Sequence, residues 1–129
     1  MSNFRLGTRS EQNLVGVHPH LQRVVRRAIT TTPVDFIVTE GVRSLNRQRA
    51  LVAAGASKTY NSRHITGHAI DVAALVGSQV RWDWPLYRLI ADAMKQAAEA
   101  QGIPIVWGGD WRTFRDGPHF ELPRKFYPA

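Results

Sequence analysis

The sequence predicts an α+β domain in which helices cluster beside a small, mostly antiparallel sheet. Two segments repeat apolar residues at helical spacing. Four short runs, rich in β-branched or aromatic residues, are bounded by Gly, Pro or polar loops. The 129 residues match one ordinary globular domain. No internal repeat and no Pro/Gly/Ser-rich run divides them, so residues 1–129 are expected to fold as a unit.

The first clear helix starts near Pro19, a residue that suits a first helical position because its missing N–H would be unpaired there anyway. Leu21, Val24, Val25, Ala28 and Ile29 form one apolar stripe and leave Arg23, Arg26 and Arg27 for water. Thr30 to Thr32, followed by Pro33, end it. Asp35 to Glu40 (DFIVTE), between Pro33 and Gly41, reads as a strand. Ser44 then caps a short helix reaching about Ala54.

Residues 55–63 read as a polar loop, and Ala69 to Leu75 as a well-buried strand. The longest helix runs from about Pro85 to Gln101, with Leu86, Leu89, Ile90, Ala93, Met94 and Ala97 on its apolar face. Gly102 stops it. Ile103 to Trp107 is a short strand, Gly108 and Gly109 turn the chain, and His119 to Leu122 is the last strand.

Composition narrows the function classes. The 43% hydrophobic and 21% charged fractions are those of an average soluble protein, which argues against disorder. Without cysteine there is no disulfide framework, and a metal site must use His and carboxylate ligands. No run of about 18 apolar residues is present, and Met1 to Ser10 lacks the apolar core of a signal peptide. The expectation is a chain made in the cytoplasm, with any export by another route. Lys plus Arg exceed Asp plus Glu by 17 to 10, giving +7 and a pI near 10.8. That balance favours a polyanionic partner, whether nucleic acid, anionic cell wall or acidic lipid.

Three polar residues stand where a core would not accept them unpaired. His64 closes the loop before a strand, Asp71 lies inside AIDVAAL, and His119 opens the last strand. Two imidazoles and one carboxylate are a common catalytic zinc set that leaves a fourth position for water. The spacing, seven residues and then 48, is not the one-turn pattern of a helical zinc motif. Spacing alone leaves equal room for Asp71 bonded to a neighbouring Arg with both histidines on the surface.

The local wording is more specific. Ser62 to Asp71 fits S-x-H-x-x-G-x-A-x-D, Asp116 to Glu121 reads DGPHFE, and Glu40-Gly41-Val42-Arg43-Ser44 with Gln48 forms a third block. These blocks, in this order across about residues 36 to 122, resemble the D-alanyl-D-alanine carboxypeptidase/L-alanyl-D-glutamate endopeptidase family of zinc peptidases (peptidase family M15). That family shares its fold with the signalling domain of hedgehog proteins. The resemblance implies one catalytic Zn2+ on His64, Asp71 and His119, with Asp116 as acid/base and Arg43 holding substrate or developing oxyanion. Ser62, Gln48 and Glu121 would support the site or touch substrate. For Glu121 an orienting role on His119 and a plain strand position are both open. Pro118 would stiffen the link between Asp116 and His119. A regulatory Ca2+ is not legible.

The resemblance further implies metal-assisted hydrolysis of peptidoglycan stem peptides by a phage-type lysin, bacteriolytic and expected to be monomeric. Its basic surface would serve where a separate wall-binding domain is lacking. It would accumulate in the host cytoplasm and act on the wall, in the periplasm, once the membrane is opened. Carboxypeptidases usually carry Glu where Asp116 stands, so the endopeptidase reading is favoured. A carboxypeptidase would need a cationic clamp from Arg43, Lys58 or Arg63. The other rivals are a basic nucleic-acid-binding protein, resting on the charge and on Arg23, Arg26 and Arg27, and a metal-free binding module. No helix-turn-helix, zinc-finger or RNP wording accompanies the charge, so no nucleic-acid partner is expected.

Other conspicuous residues receive plainer readings. His68 is expected to face solvent or support the site rather than bind metal, and His18 and His20 to be surface groups. Trp82, Trp84, Trp107 and Trp111 are expected as core or cleft walls, and Asp110 as a loop-end carboxylate. Gly108-Gly109 is no phosphate loop, since no Gly-Lys-Ser/Thr follows.

Overall fold

A computed structural model describes residues 4–57 and 62–128. Helix α2 (Pro19–Thr31) buries all five residues of the apolar stripe, Leu21, Val24, Val25, Ala28 and Ile29. Each such Val, Leu or Ile contributes roughly 1.5–3 kcal/mol when fully buried, which outweighs the helix's Thr-rich, weakly helical end. Its N-cap is His18, whose Nδ1 accepts the N–H of His20 at 3.0 Å. Helix α4 (Trp84–Gln101) packs against α2. Ile90, Met94, Ala97 and Ala98 point inward, whereas Leu89, expected on the apolar face, is 43% exposed.

Four strands pair antiparallel in the order β1 (Asp35–Glu40), β2 (Ala69–Val76), β5 (His119–Glu121), β4 (Val106–Trp107). Strand β3 (Gln79–Arg81) joins the same edge of β2 as β5, further along. The expected strand from Ile103 shrinks to Val106–Trp107 for two reasons. Ile103 N–H turns back to Ala98 O at the end of α4, and Pro104 has no N–H for a ladder.

Two elements had no sequence expectation. Strand β3 is exposed along its length and follows a turn at Gly77, whose φ of +64° suits glycine. Helix α1 (Thr8–Leu14) is short and polar, and its value lies in what it covers. Ser10 Oγ accepts the Val38 N–H at 2.9 Å and Asn13 Nδ2 donates to Val38 O at 2.8 Å, so side chains satisfy the open edge of β1. The turn at Gly108 is a single 3₁₀ turn, Gly108–Asp110. Helix α3 (Leu45–Ala53) starts from the expected cap, Ser44 Oγ accepting the Arg47 N–H.

Side-chain alternation then sorts the sheet into two faces. Phe36 and Val38 of β1, Ile70, Val72 and Ala74 of β2, and Phe120 of β5 enter the core beneath the helices. Asp71, His119 and Glu121 therefore share the opposite face, which lines a cleft of about 590 Å³.

Candidate active site

Asp71 and His119 are directly opposite in the β2–β5 ladder, so sheet register alone brings a carboxylate beside an imidazole. His64 reaches the same point from the loop before β2. Its N–H is held by Ser62 Oγ at 3.1 Å, and its carbonyl accepts the N–H of Arg43 at 3.0 Å. The Nε2 of His64 lies 3.2 Å, and the Nδ1 of His119 3.1 Å, from Asp71 Oδ1. The side chains of His64 and His119 are 1% and 8% exposed, which removes competing water.

Each ring is anchored by its other nitrogen. His64 Nδ1–H donates to Gly41 O at 2.9 Å, and His119 Nε2–H donates to Glu121 Oε1 at 2.7 Å. The inward nitrogens are thereby left as the ones a cation can use. One ligand atom from each of His64, Asp71 and His119 lies within 4.8 Å of the others, and no other such group exists among the described residues. The donor set fits a divalent metal that accepts imidazole, with three protein ligands and an open position.

The electrostatics agree. Burial disfavours a charged Asp71, but hydrogen bonds from His119 and His64 outweigh it and hold the carboxyl well below its usual range. Burial likewise opposes charge on His119. Its hydrogen bonds to Asp71 and Glu121 prevail, and its pKa is pushed up to about 9. In the absence of metal these bonds favour the protonated form of His119.

Asp116 lies in the same cleft. Desolvation and the neighbouring Asp71 charge raise its proton affinity above that of an ordinary carboxylate, against the pull of His119, His64 and Arg43. Gly108 O accepts the N–H groups of both Trp111 and Asp116, closing the neck of the loop that carries Asp116. A Cβ on Gly108 would lie 2.4 Å from Asp116 O and 3.1 Å from the Cβ atoms of Asp116 and His119. The glycine is what lets these two residues approach. Trp107, 5% exposed, donates its indole N–H to Gly117 O at 2.7 Å and fixes the far side of the loop. The Pro118 carbonyl accepts the Val72 N–H, extending the β2–β5 ladder.

A β-bulge organises the other wall. Register slips between Val38 and Glu40, so Glu40, not Thr39, sits opposite Asp71. Glu40 Oε1 accepts from Arg43 Nε, Gln48 Oε1 accepts from Arg43 Nη1 at 2.7 Å, and Arg43 Nη2 reaches Asp71 Oδ2 at 3.5 Å. Gln48 is fully buried, and its Nε2 donates to Ser57 Oγ at 2.8 Å. Arg43, Gln48, Ser62 and Glu121 thus surround His64, Asp71 and His119, with Arg43, Ser62 and Glu121 lining the cleft that also holds Asp116.

Sequence reasoning assigned no role to Glu40, although it stood in a quoted block. Strict alternation from Phe36 and Val38 would have turned it into the core, and only the bulge reverses that. Trp111, whose ring centre lies 5.0 Å from that of His119, forms part of the cleft wall as expected.

Other expectations needed revision. His18 and His20 are half-buried, in a ring cluster with Tyr127 that His18 extends to His68. Arg63 is 4% exposed, and its guanidinium donates to Leu122 O and Tyr127 O, so it pins the C-terminal segment. Lys58 lies outside the described residues. Trp82 is 63% exposed, not a wall. Asp110 is, as expected, an exposed loop-end carboxylate, paired with Lys95 at 2.7 Å.

Comparison with known proteins adds independent support. An L-alanyl-D-glutamate peptidase of Escherichia phage T5 is 35% identical over 129 residues, covering 97% of this chain and 93% of that protein. The crystal structure of the Serratia marcescens L-Ala D-Glu endopeptidase ChiX matches with a TM-score of 0.94 and 51% identity, over 99% of this chain and 96% of that one. The vancomycin-resistance D,D-dipeptidase VanXYg, at 21% identity and a TM-score of 0.51 over 80% of this chain and 47% of its own, shares the fold. The family model for phage L-alanyl-D-glutamate peptidases matches residues 1–128. His64, Asp71, Asp116 and His119 all fall inside that match, and the chain belongs to the phage L-alanyl-D-glutamate peptidase family.

Proposed function

We propose that this protein is a phage-type endolysin, a zinc-dependent endopeptidase that hydrolyses the L-Ala–D-Glu bond of peptidoglycan stem peptides. One observation carries the reading most: the opposed pair Asp71 and His119, completed by His64, faces a cleft that also holds Asp116. His64, Asp71 and His119 would hold the ion. Zinc, when bound there, supplies Lewis acidity and lowers the pKa of water towards about 7.

The chain's own groups do the rest. Asp116 takes a proton from the attacking water and later gives one to the leaving amine, a task suited by its raised proton affinity. Arg43, braced by Glu40 and Gln48, offers a fixed positive charge to the oxygen on which negative charge develops. Gly41 O and Glu121 keep both histidines in one tautomer. Ser62 holds the backbone of His64.

We also assign it to act as a monomer and as one catalytic unit. No described helix is long and apolar enough to cross a membrane. Synthesis in the host cytoplasm, with access to the periplasmic wall after the membrane opens, fits that observation.

The test is digestion of purified peptidoglycan by the zinc-loaded protein, with new termini identified by mass spectrometry and Asp116→Ala in parallel. New N-terminal D-Glu, absent with the variant, is expected. Free D-Ala would move the activity to a carboxypeptidase on the same site. Intact peptidoglycan in the presence of bound zinc would overturn the wall-lytic reading.

A further inference from the structure

The first turn of helix α3 holds a residue that its own stability does not favour. Ser44 caps the helix by accepting the Arg47 N–H, and in a capping box that position carries Glu or Gln. Here it is Arg47, and the first turn holds no acid. A cation there opposes the helix dipole, which favours negative charge near the N-terminus. Its side chain is 59% exposed and lines the cleft. Departures of this kind from a local rule are expected where function requires them.

Arg47 is also loosely held. Among the described residues its guanidinium makes one ionic contact, Nη2 to Glu40 Oε2 at 3.8 Å, too long for a hydrogen bond. The other Glu40 oxygen accepts Arg43 Nε. One carboxylate thus stands between two guanidiniums. Asp71, the other acid that Arg43 reaches, already serves His64 and His119. This wall of the cleft therefore carries an excess of positive charge that an anionic ligand can balance. The other arginines of the cleft are placed differently. Arg63 is buried and turned to Leu122 O and Tyr127 O, and Arg124 belongs to the segment after β5. Arg47 is the one that shares an acid with Arg43.

We propose that Arg47 is a specificity-determining residue that binds a free carboxylate of the stem peptide. This rests on the endopeptidase reading given above. The peptide offers the α-carboxylate of D-Glu, left free because that residue is joined onward through its side-chain carboxyl, and the carboxylate at its C-terminus. Arg43, 9% exposed, is held toward the reacting oxygen; Arg47, across Glu40 and more exposed, meets a charge that cleavage does not alter. Such uniform binding lowers KM and leaves kcat alone.

The experiment is steady-state hydrolysis of acetyl-L-Ala-γ-D-Glu-L-Lys by the zinc-loaded wild type, Arg47→Gln and Arg47→Lys. The peptide is supplied as the free acid, as the D-Glu α-amide, as the C-terminal amide and with both groups amidated. On the free acid, Arg47→Gln is expected to raise KM about tenfold, between the worth of a charged hydrogen bond and that of an exposed ion pair. Its kcat is expected to stay within about twofold. Arg47→Lys is expected to recover part of the loss, since it keeps the charge without the planar fork. Amidating the bound carboxylate is expected to raise the wild-type KM to that of Arg47→Gln, and the amide that does so identifies the group. Equal KM for wild type and Arg47→Gln on the free acid overturns the proposal, as does a difference that survives amidation of both groups. A fall in kcat on every peptide would show that Arg47 acts by steadying Glu40 and Arg43, and would overturn it too. Failure of the wild type to digest peptidoglycan would instead remove the endopeptidase reading, and the proposal with it.

Discussion

Asp71 and His119 face each other across the β2–β5 ladder, with His119 Nδ1 3.1 Å from Asp71 Oδ1. Two of three metal-ligand candidates are therefore set by strand register, and the site is as rigid as the sheet. Asp71→Ala removes the shared acceptor and leaves two buried imidazoles facing each other. It is expected to abolish stoichiometric zinc binding, measured by elemental analysis after dialysis. Full zinc occupancy in the variant would displace Asp71 from the ligand set.

Glu121 is expected to act through His119. Glu121→Gln replaces the carboxylate 2.7 Å from His119 Nε2 with a neutral amide. Outer partners of this kind typically change metal affinity by about 10–100-fold. Chelator competition measures it directly. Wild-type affinity in the variant would reduce Glu121 to a strand position.

The Arg43 cradle offers a contrasting outcome. Gln48 is buried and bonds both Arg43 and Ser57. Gln48→Leu keeps the volume and removes both bonds, so Arg43 loses its fixed direction. Turnover is expected to fall by about 10²-fold, the scale of a lost oxyanion donor, with zinc content unchanged. Zinc loss in step with activity would show that Gln48 supports the metal site instead.

Gly108→Ala tests the approach of Asp116 and His119. The new Cβ would stand 2.4 Å from Asp116 O, a backbone atom that cannot swing aside. The expected cost is about 1–3 kcal/mol of stability, read by denaturant titration, with most activity lost. A stable, fully active variant would show that the loop has room to spare.

The metal-free protein should lose stability as pH rises. Hydrogen bonds to Asp71 and Glu121 push the His119 pKa up to about 9 from the usual 6.5, so its contribution is complete below about 6.5 and is lost as pH climbs through 9. Asp71 acts in the opposite direction, its depressed pKa contributing above 3.8 and failing as the solution is acidified further. In chelator, Tm is expected to fall between pH 6.5 and 9, and zinc to suppress that fall by taking the proton's place. A flat chelated profile would contradict a protonated His119.

Much of this was legible in the chain. The stripe from Leu21 to Ile29 marked α2 because helical periodicity is a local property, and its five residues are those that the fold buries. Pro33 and Gly41 bounded β1, and Ser44 marked the start of α3. His64, Asp71 and His119 stood out because charge and imidazole inside apolar runs need a reason, and the wording around them pointed to a metal.

The rest depended on contacts between distant segments. Helix α1 has no apolar period; Ser10 and Asn13 become important only once Val38 needs partners on the edge of β1. Strand β3 is exposed throughout, so no burial pattern announced it. Glu40 enters the cleft through a bulge, which shifts register by one residue and reverses the face that alternation assigns. Gln48, a polar residue on a weakly apolar helix, is buried because Arg43 and Ser57 meet it there. Local sequence determined the elements and singled out His64, Asp71 and His119 as candidate ligands, since propensity and burial of charge act over a few residues. Tertiary structure decided which side chains meet in the cleft, because strand register, a bulge and the closed loop that carries Asp116 arise only when those elements pack.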